Sequence, residues 1–315
     1  MAKGHFRAYT AKKTNSIRSV RMANVVDDTQ KYVGAQRKDI TTESSILISS
    51  SKYLNNPLIR GSLPNFMLRK NSPELRTEAD HTLGLYEGFE QVRDHKRIEE
   101  LITAERKKNA AFDAWHEESF LSTWTNEDFA KYPAGSVGGI MYRQIRDFGF
   151  DISLGRTKDS KKPETQYEYM LVRGGQIHDI EHIVLGSSFD SIGELTPYFT
   201  RLANYQKHFS PELAQALNDY MIFGALRIFT RSGLHYPETF AAALECTELG
   251  IRIGQASDLY CMAKYEDLLG LPPVDVRREL GIREVVDFHT TREGLIFQED
   301  IPREIGNDAP ARAAD

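Results

Sequence analysis

The chain has 315 residues, 40% hydrophobic and 27% charged, which is the profile of a globular protein and not of a disordered or fibrous one. A formal net charge of −5 gives no electrostatic case for nucleic acid as a partner, and two cysteines, Cys246 and Cys261, are too few for a disulfide framework or a cysteine metal cluster. No apolar run approaches the ~18 residues of a membrane span, and the N-terminus lacks the apolar stretch of a secretory signal, so the expectation is a cytoplasmic protein, at most peripheral at the inner membrane.

The first 50 residues are rich in Ser, Thr, Lys and Arg without sustained periodicity and read as an arm with little core. Lys3, Arg7, Lys12, Lys13, Arg18 and Arg21 precede the first acid, Asp27; this basic lead is either a solvated terminus or a contact for an anionic membrane surface. Ser72-Pro73 is a helix-start pair, and Leu85, Phe89, Val92, Ile98 and Leu101 continue it as one or two amphipathic helices. Phe112, Trp115 and Phe120 keep helical spacing before Tyr132-Pro133-Ala134-Gly135-Ser136-Val137-Gly138-Gly139 interrupts it. Those glycines match neither a Walker A nor a dinucleotide fingerprint, and are read as a turn that lets helices approach closely.

After a polar basic loop at 153–165, a helix is predicted over 167–186 with Gly186 as its stop, and Ser210-Pro211-Glu212 opens a strong helix running to about Arg231. Leu213, Leu217, Met221 and the residues 223–226 share apolar faces that either build the core or line a lipid groove. Residues 237–256, 259–269 and 273–280 also read as helical, the last closed by Gly281. Strand signals are confined to 46–48 and 284–297, and a polar, Ala-rich tail follows from Arg303. The fold class is all-α: an extension over 1–70, partly irregular, a compact helical domain over 71–282, and a C-terminal segment with a disordered tail over 283–315.

The chemistry is concentrated in His178-Asp179-Ile180-Glu181-His182, followed by Gly193-Glu194. Residues four apart on a helix stand one above the other, so His178 and His182 can offer two imidazoles to one ion, with Asp179 in the same arc. Glu194 supplies a further ligand if the chain reverses at 186–190. It has a second reading, because Ser191-Ile192-Gly193-Glu194 is a capping box in which the glutamate bonds backbone. Two histidines with carboxylates suit zinc, and also iron, manganese or cobalt. The dyads Asp94-His95 and Asp80-His81 read as solvated helix surface.

This HDxxH motif, followed by eleven residues and Glu, resembles the signature of the coenzyme Q biosynthesis protein 4 family, in a bacterial form. The resemblance continues through Arg173, Gly186, Asp190 and Gly193, through the 133–138 segment with Tyr142, and through Tyr265-Glu266 and the 276–282 segment. It covers residues 105–282 and has no counterpart before about Asp80. Gly175-Gln176 stand where many members place Arg-Glu, and Glu181 where many have Trp, so the residues flanking the motif depart from the pattern.

The resemblance implies an all-helical fold and a divalent metal, zinc foremost, held by His178, Asp179, His182 and Glu194, with Asp179 as third ligand or proton carrier. It implies a groove for a prenyl chain, with Arg173 and Tyr142 as substrate-binding residues, and oxidative decarboxylation with hydroxylation at C1 of a polyprenylated 4-hydroxybenzoate derivative. Expected partners are the prenylated aromatic or isoprenoid substrate, other quinone-biosynthesis proteins and a second copy in a homodimer. Two other readings stay open: a prenyl-lipid-binding scaffold with a structural metal, and a metallohydrolase with Asp179 as base.

Overall fold

The computed structural model describes residues 50–71, 78–149 and 162–298, which lie within the unit Ile40–Asp315. The expectations for the basic lead, the 46–48 strand, Ser72-Pro73, most of the 153–165 loop and the tail after Arg303 fall outside those residues. The helices, in chain order, are α1 (Lys52–Asn55), α2 (Pro57–Leu68), α3 (Glu78–Val92), α4 (His95–Arg106), α5 (Ala110–Glu118) and α6 (Val137–Phe148). They continue with α7 (Gln166–Val184), α8 (Leu195–His208), α9 (Pro211–His235), α10 (Phe240–Ala256), α11 (Pro273–Glu279) and α12 (Thr291–Phe297), and 3-10 turns span Asn126–Lys131, Pro237–Thr239 and Tyr265–Asp267. The fold is all-α; among the described residues there is no strand, only an isolated parallel bridge between Ser187 and Phe288.

Polar caps start these helices where the first turn leaves amide protons without partners. Asn56, Asp94, Asn109, Ser136 and Thr165 each accept a first-turn N–H at α2, α4, α5, α6 and α7. Asp94 of the Asp94-His95 dyad is therefore a cap. The Gly-rich break before α6 is a close approach: the amides of Val137 and Gly138 donate to the carbonyls of Leu271 (2.9 Å) and Leu269 (2.8 Å), so chain oxygens hold them.

Helix α8 is the packing centre. A Cβ at Gly250 would stand 2.6 Å from the Thr196 carbonyl oxygen and one at Gly254 2.4 Å from that of Thr200, so these two glycines let α10 lie directly on the α8 backbone. On the α9 side Asn218 donates to the Leu202 carbonyl (3.2 Å). Leu213, Leu217 and Ala225 of α9 are core, with Tyr205, Phe209 and Ile228 among their neighbours, while Ile222 and Leu226 remain exposed. One apolar cluster joins Val137 and Met141 of α6 to Ile177, Ile180 and Val184 of α7, with Tyr260, Tyr265 and Val276 completing it.

Within the partly irregular extension, α2 buries Ile59 and Phe66 against Leu85 and Phe89 of α3. Two expectations need correction. Residues 259–269 are irregular apart from the turn Tyr265–Asp267; Tyr260 and Cys261 are buried individually by separate clusters and not as one helix face. The strand signal at 284–297 gives way to α12, which buries Phe297 beside Ile192, Ala225 and Tyr236. Both cysteines are free and buried. No helix among the described residues is long and apolar enough to cross a membrane.

Candidate metal centre

Helix α7 ends where its stop was expected. Gly186 takes φ +71°, and the Ser187 amide returns to the His182 carbonyl at 2.9 Å, the glycine-capped ending in which the chain turns back on its own last turn. The C-terminal segment clamps this end: Arg277 Nε donates to the Val184 carbonyl (2.8 Å) and the Phe288 amide to the Gly186 carbonyl (2.9 Å). The loop from His182 to Glu194 therefore starts from an anchored end.

Asp190 builds that loop. Its Oδ1 accepts from the amides of Ile192 and Gly193, each at 3.0 Å, and Thr290 Oγ1 donates to the same carboxylate at 2.9 Å. A Cβ at Gly193 would lie 2.2 Å from the Ser188 carbonyl oxygen, so only glycine fits the inside of this bend. Glu194 enters α8 in helical conformation, φ −54° and ψ −27°, and its side chain makes no cap hydrogen bond. The capping-box reading of Ser191 and Glu194 is thus not realised; the cap role falls to Asp190, and the Glu194 carboxylate turns to α7.

There it meets both histidines. His178 Nε2 is 3.0 Å from Glu194 Oε2, and His182 Nε2 is 3.5 Å from Glu194 Oε1. The two rings are 4.9 Å apart at 74°. One ligand atom from each of His178, His182 and Glu194 lies within 4.8 Å of the others. Ligands about 2.0–2.1 Å from a tetrahedral ion stand about 3.3 Å from one another, so these spacings suit a single small cation.

The surroundings fix the donor atoms. His182 is 1% exposed, stacked on Phe189, and its Nδ1 lies 2.8 Å from the Ser188 carbonyl oxygen. A carbonyl can only accept, so a neutral His182 ring carries its proton on Nδ1 and turns the Nε2 lone pair to the carboxylate. Lone pair against carboxylate is repulsive unless a proton or a cation stands between them. His178 has Glu194 on Nε2 and Asp179 Oδ1 on Nδ1 at 3.2 Å. Burial disfavours its cation, but the Glu194 charge and the hydrogen bonds to Asp179 and Glu194 outweigh burial and push its pKa up to about 10. Burial likewise works against the Glu194 anion, yet the two imidazoles hold its carboxyl well below the usual range. The cluster is built to keep positive charge beside Glu194, and a divalent cation is the other way to supply it.

The expected site residues fall into two sets. His178, His182 and Glu194 converge. Asp179 is beside them, on the far nitrogen of His178, and is outside the group of three whose ligand atoms meet. Arg173 is 1% exposed and makes a bidentate pair with Glu266, both contacts 2.7 Å, with further bonds to the Ala263 carbonyl and Gln176 Oε1. This pair braces α7 against the turn Tyr265–Asp267, and Arg173 also borders a cavity of about 310 Å³ with Trp115, Phe120, Met262 and Lys264. Tyr142 of α6 packs, half-buried, against the Val137 and Ile177 cluster.

Arg201 was missed by the sequence reading. It pairs with fully buried Glu181 at 2.6 Å, tying α8 to the same turn of α7 that carries His182. Seven residues after Glu194, it lies on the ligand's face of the helix, and that spacing was the available signal.

No protein-family model matches this chain, and no curated protein does. Among solved structures it is similar to a crystal structure from Nostoc punctiforme described as a "putative ubiquinone biosynthesis protein", at 20% identity and a TM-score of 0.50, over 70% of this chain and 95% of that one. At that identity the likeness is one of fold.

Proposed function

We propose that this chain is a metal-dependent protein of the ubiquinone-biosynthesis type, in which His178, His182 and Glu194 hold a divalent cation, zinc foremost, beside a prenylated aromatic acid. The observation that carries the reading is the 2.8 Å contact of His182 Nδ1 with the Ser188 carbonyl oxygen, which in the neutral ring leaves the Nε2 lone pair facing Glu194 within a cluster of three ligand atoms. The HDxxH-x11-E resemblance implies the substrate class, a polyprenylated 4-hydroxybenzoate derivative, and the reaction class, oxidative decarboxylation with hydroxylation at C1, and the Nostoc punctiforme structure is described as belonging to ubiquinone biosynthesis. A bound divalent ion polarises a carboxylate or phenolic oxygen.

This chain's own groups do the rest. Asp179 accepts from His178 Nδ1 and orients that ring, as carboxylates behind metal-bound imidazoles do. The Ser188 carbonyl does the same for His182. The Glu181 and Arg201 pair holds α7 and α8 at a constant spacing behind both. A scaffold with a purely structural ion would close its coordination with four protein ligands, whereas three converge among the described residues, and His178 and Glu194 keep 23% and 28% exposure. A metallohydrolase would need Asp179 free to act on water, and it is bonded to His178.

Elemental analysis of purified protein, with His182→Ala and Glu194→Ala in parallel, tests the site, and conversion of a prenylated 4-hydroxybenzoate by the loaded protein tests the activity. One equivalent of metal in the wild type and none in either variant is expected. Absence of metal from the wild type after loading would overturn the reading; bound metal without any conversion would move it to the scaffold.

A further inference from the structure

Arg201 has a free edge beside the candidate metal centre. Its Nε donates to Glu181 Oε2 at 2.7 Å, and Nη2 donates to the Gly174 carbonyl at 2.7 Å and stands 2.6 Å from the same Glu181 oxygen. Nη1 makes no protein hydrogen bond among the described residues, and the side chain keeps 11% exposure. A Cβ at Gly174 would lie 3.5 Å from Nη1, and one at Gly175 would meet nothing within 4 Å.

Those two glycines fall on the face of α7 that carries the site. Gly174 is one turn before His178, and Gly175 one turn before Asp179, so a strip of bare helix backbone leads from the guanidinium to the His178 ring. Leu171, four residues before Gly175 on the same face, is 38% exposed, an apolar side chain where the strip continues away from the ligands.

We propose that Arg201 Nη1 and the bare surface at Gly174 and Gly175 form a subsite for the carboxylate of an amphiphilic aromatic acid, with the apolar body lying toward Leu171. The identity of the acid rests on the function proposed above. Glu181 and the Gly174 carbonyl hold the guanidinium from behind, so the planar fork is oriented before ligand arrives and little side-chain freedom is lost on binding. A charge-assisted hydrogen bond to a carboxylate is available from this edge, and an ester in its place would accept more weakly.

The test is calorimetric titration with 4-hydroxybenzoate, its methyl ester and inorganic phosphate, on metal-free and metal-loaded wild type, Arg201→Lys and Gly175→Leu. Gly175→Leu fills the strip and leaves the Arg201 and Glu181 pair in place, so it answers even where Arg201→Lys fails to fold. The acid is expected to bind wild type roughly tenfold tighter than the ester and than phosphate, with each variant weakening the acid roughly tenfold. No binding to wild type, equal binding of the ester, equal binding of phosphate, or indifference to both variants overturns the proposal. Binding abolished by chelation but indifferent to both variants would place the carboxylate on the triad, leaving the metal reading standing and the subsite fallen. Binding that depends on Arg201 in a protein that takes up no metal would do the reverse.

Discussion

His182 Nδ1 and the Ser188 carbonyl oxygen are 2.8 Å apart, and this one contact links the last turn of α7 to the loop that delivers Glu194. The two ligands are therefore not independent, because a shift of Ser188 moves the acceptor that fixes the His182 tautomer and the bend that aims Glu194.

Gly193→Ala tests that link without touching a ligand. The added Cβ would stand 2.2 Å from the Ser188 carbonyl oxygen, which is backbone and cannot rotate away, so the bend must open. A loss of about 1–3 kcal/mol is expected in urea unfolding, as for other overpacked sites. Cation affinity in a competitive chelator titration is expected to fall about tenfold or more, the scale of other losses of outer-shell support. Unchanged affinity would mean that Glu194 is aimed by something other than this bend.

Asp179→Asn separates an orienting group from a ligand. Asp179 stands on the Nδ1 side of His178, 3.2 Å away, while the convergent atoms are those of His178, His182 and Glu194. Loss of an orienting carboxylate costs about 10–100-fold in metal affinity, so a weakened but measurable site is expected. Abolition as complete as in Glu194→Ala would make Asp179 a direct ligand.

Much of this arrangement was legible in the sequence. The i, i+4 histidines, the glycine stop and the Ser-Pro start of α9 are local signals, and local geometry honours them. The role of Glu194 was not decidable locally. Ser191 and Glu194 carry the capping-box spacing, but Asp190 takes the cap because Thr290, a hundred residues away, fixes its carboxylate. The same distance hides α12, whose apolar residues read as extended until Phe297 finds Ile192 and Tyr236. Arg201 was within reach, seven residues along the helix from Glu194, but its partner Glu181 is set by how α7 packs, which no window of sequence contains.

Arg201→Met is expected to destabilise strongly. Glu181 is fully buried, burial already pushes its carboxyl upward, and among the described residues the Arg201 cation is its one side-chain hydrogen-bond donor, with Oε1 unpartnered. Removing one member of such a pair strands a buried charge at about 3–5 kcal/mol. Glu181→Met with Arg201→Met removes both and is expected to recover most of that loss. The double-mutant cycle is read by chemical denaturation, and additive losses would show that the two side chains act independently.

His116 supplies a pH dependence remote from the metal site. Its ring is 5% exposed among Phe112, Trp115 and Tyr169, and Nε2 has no hydrogen-bond partner. Burial, with the Arg106 charge adding to it and Asp113 opposing, lowers its pKa to about 4. In the unfolded chain the imidazole titrates near its ordinary value of about 6.5, so between about pH 6.5 and 4 the unfolded state binds more protons than the folded one. Stability contributed by this residue is therefore present above about pH 6.5 and lost as pH falls toward 4, by up to about 3 kcal/mol. His116→Leu keeps an apolar group in the pocket and removes the titration, so its stability is expected to fall less than that of wild type across this window. Parallel pH profiles of denaturation free energy would show His116 to be protonated in the fold, and this account wrong.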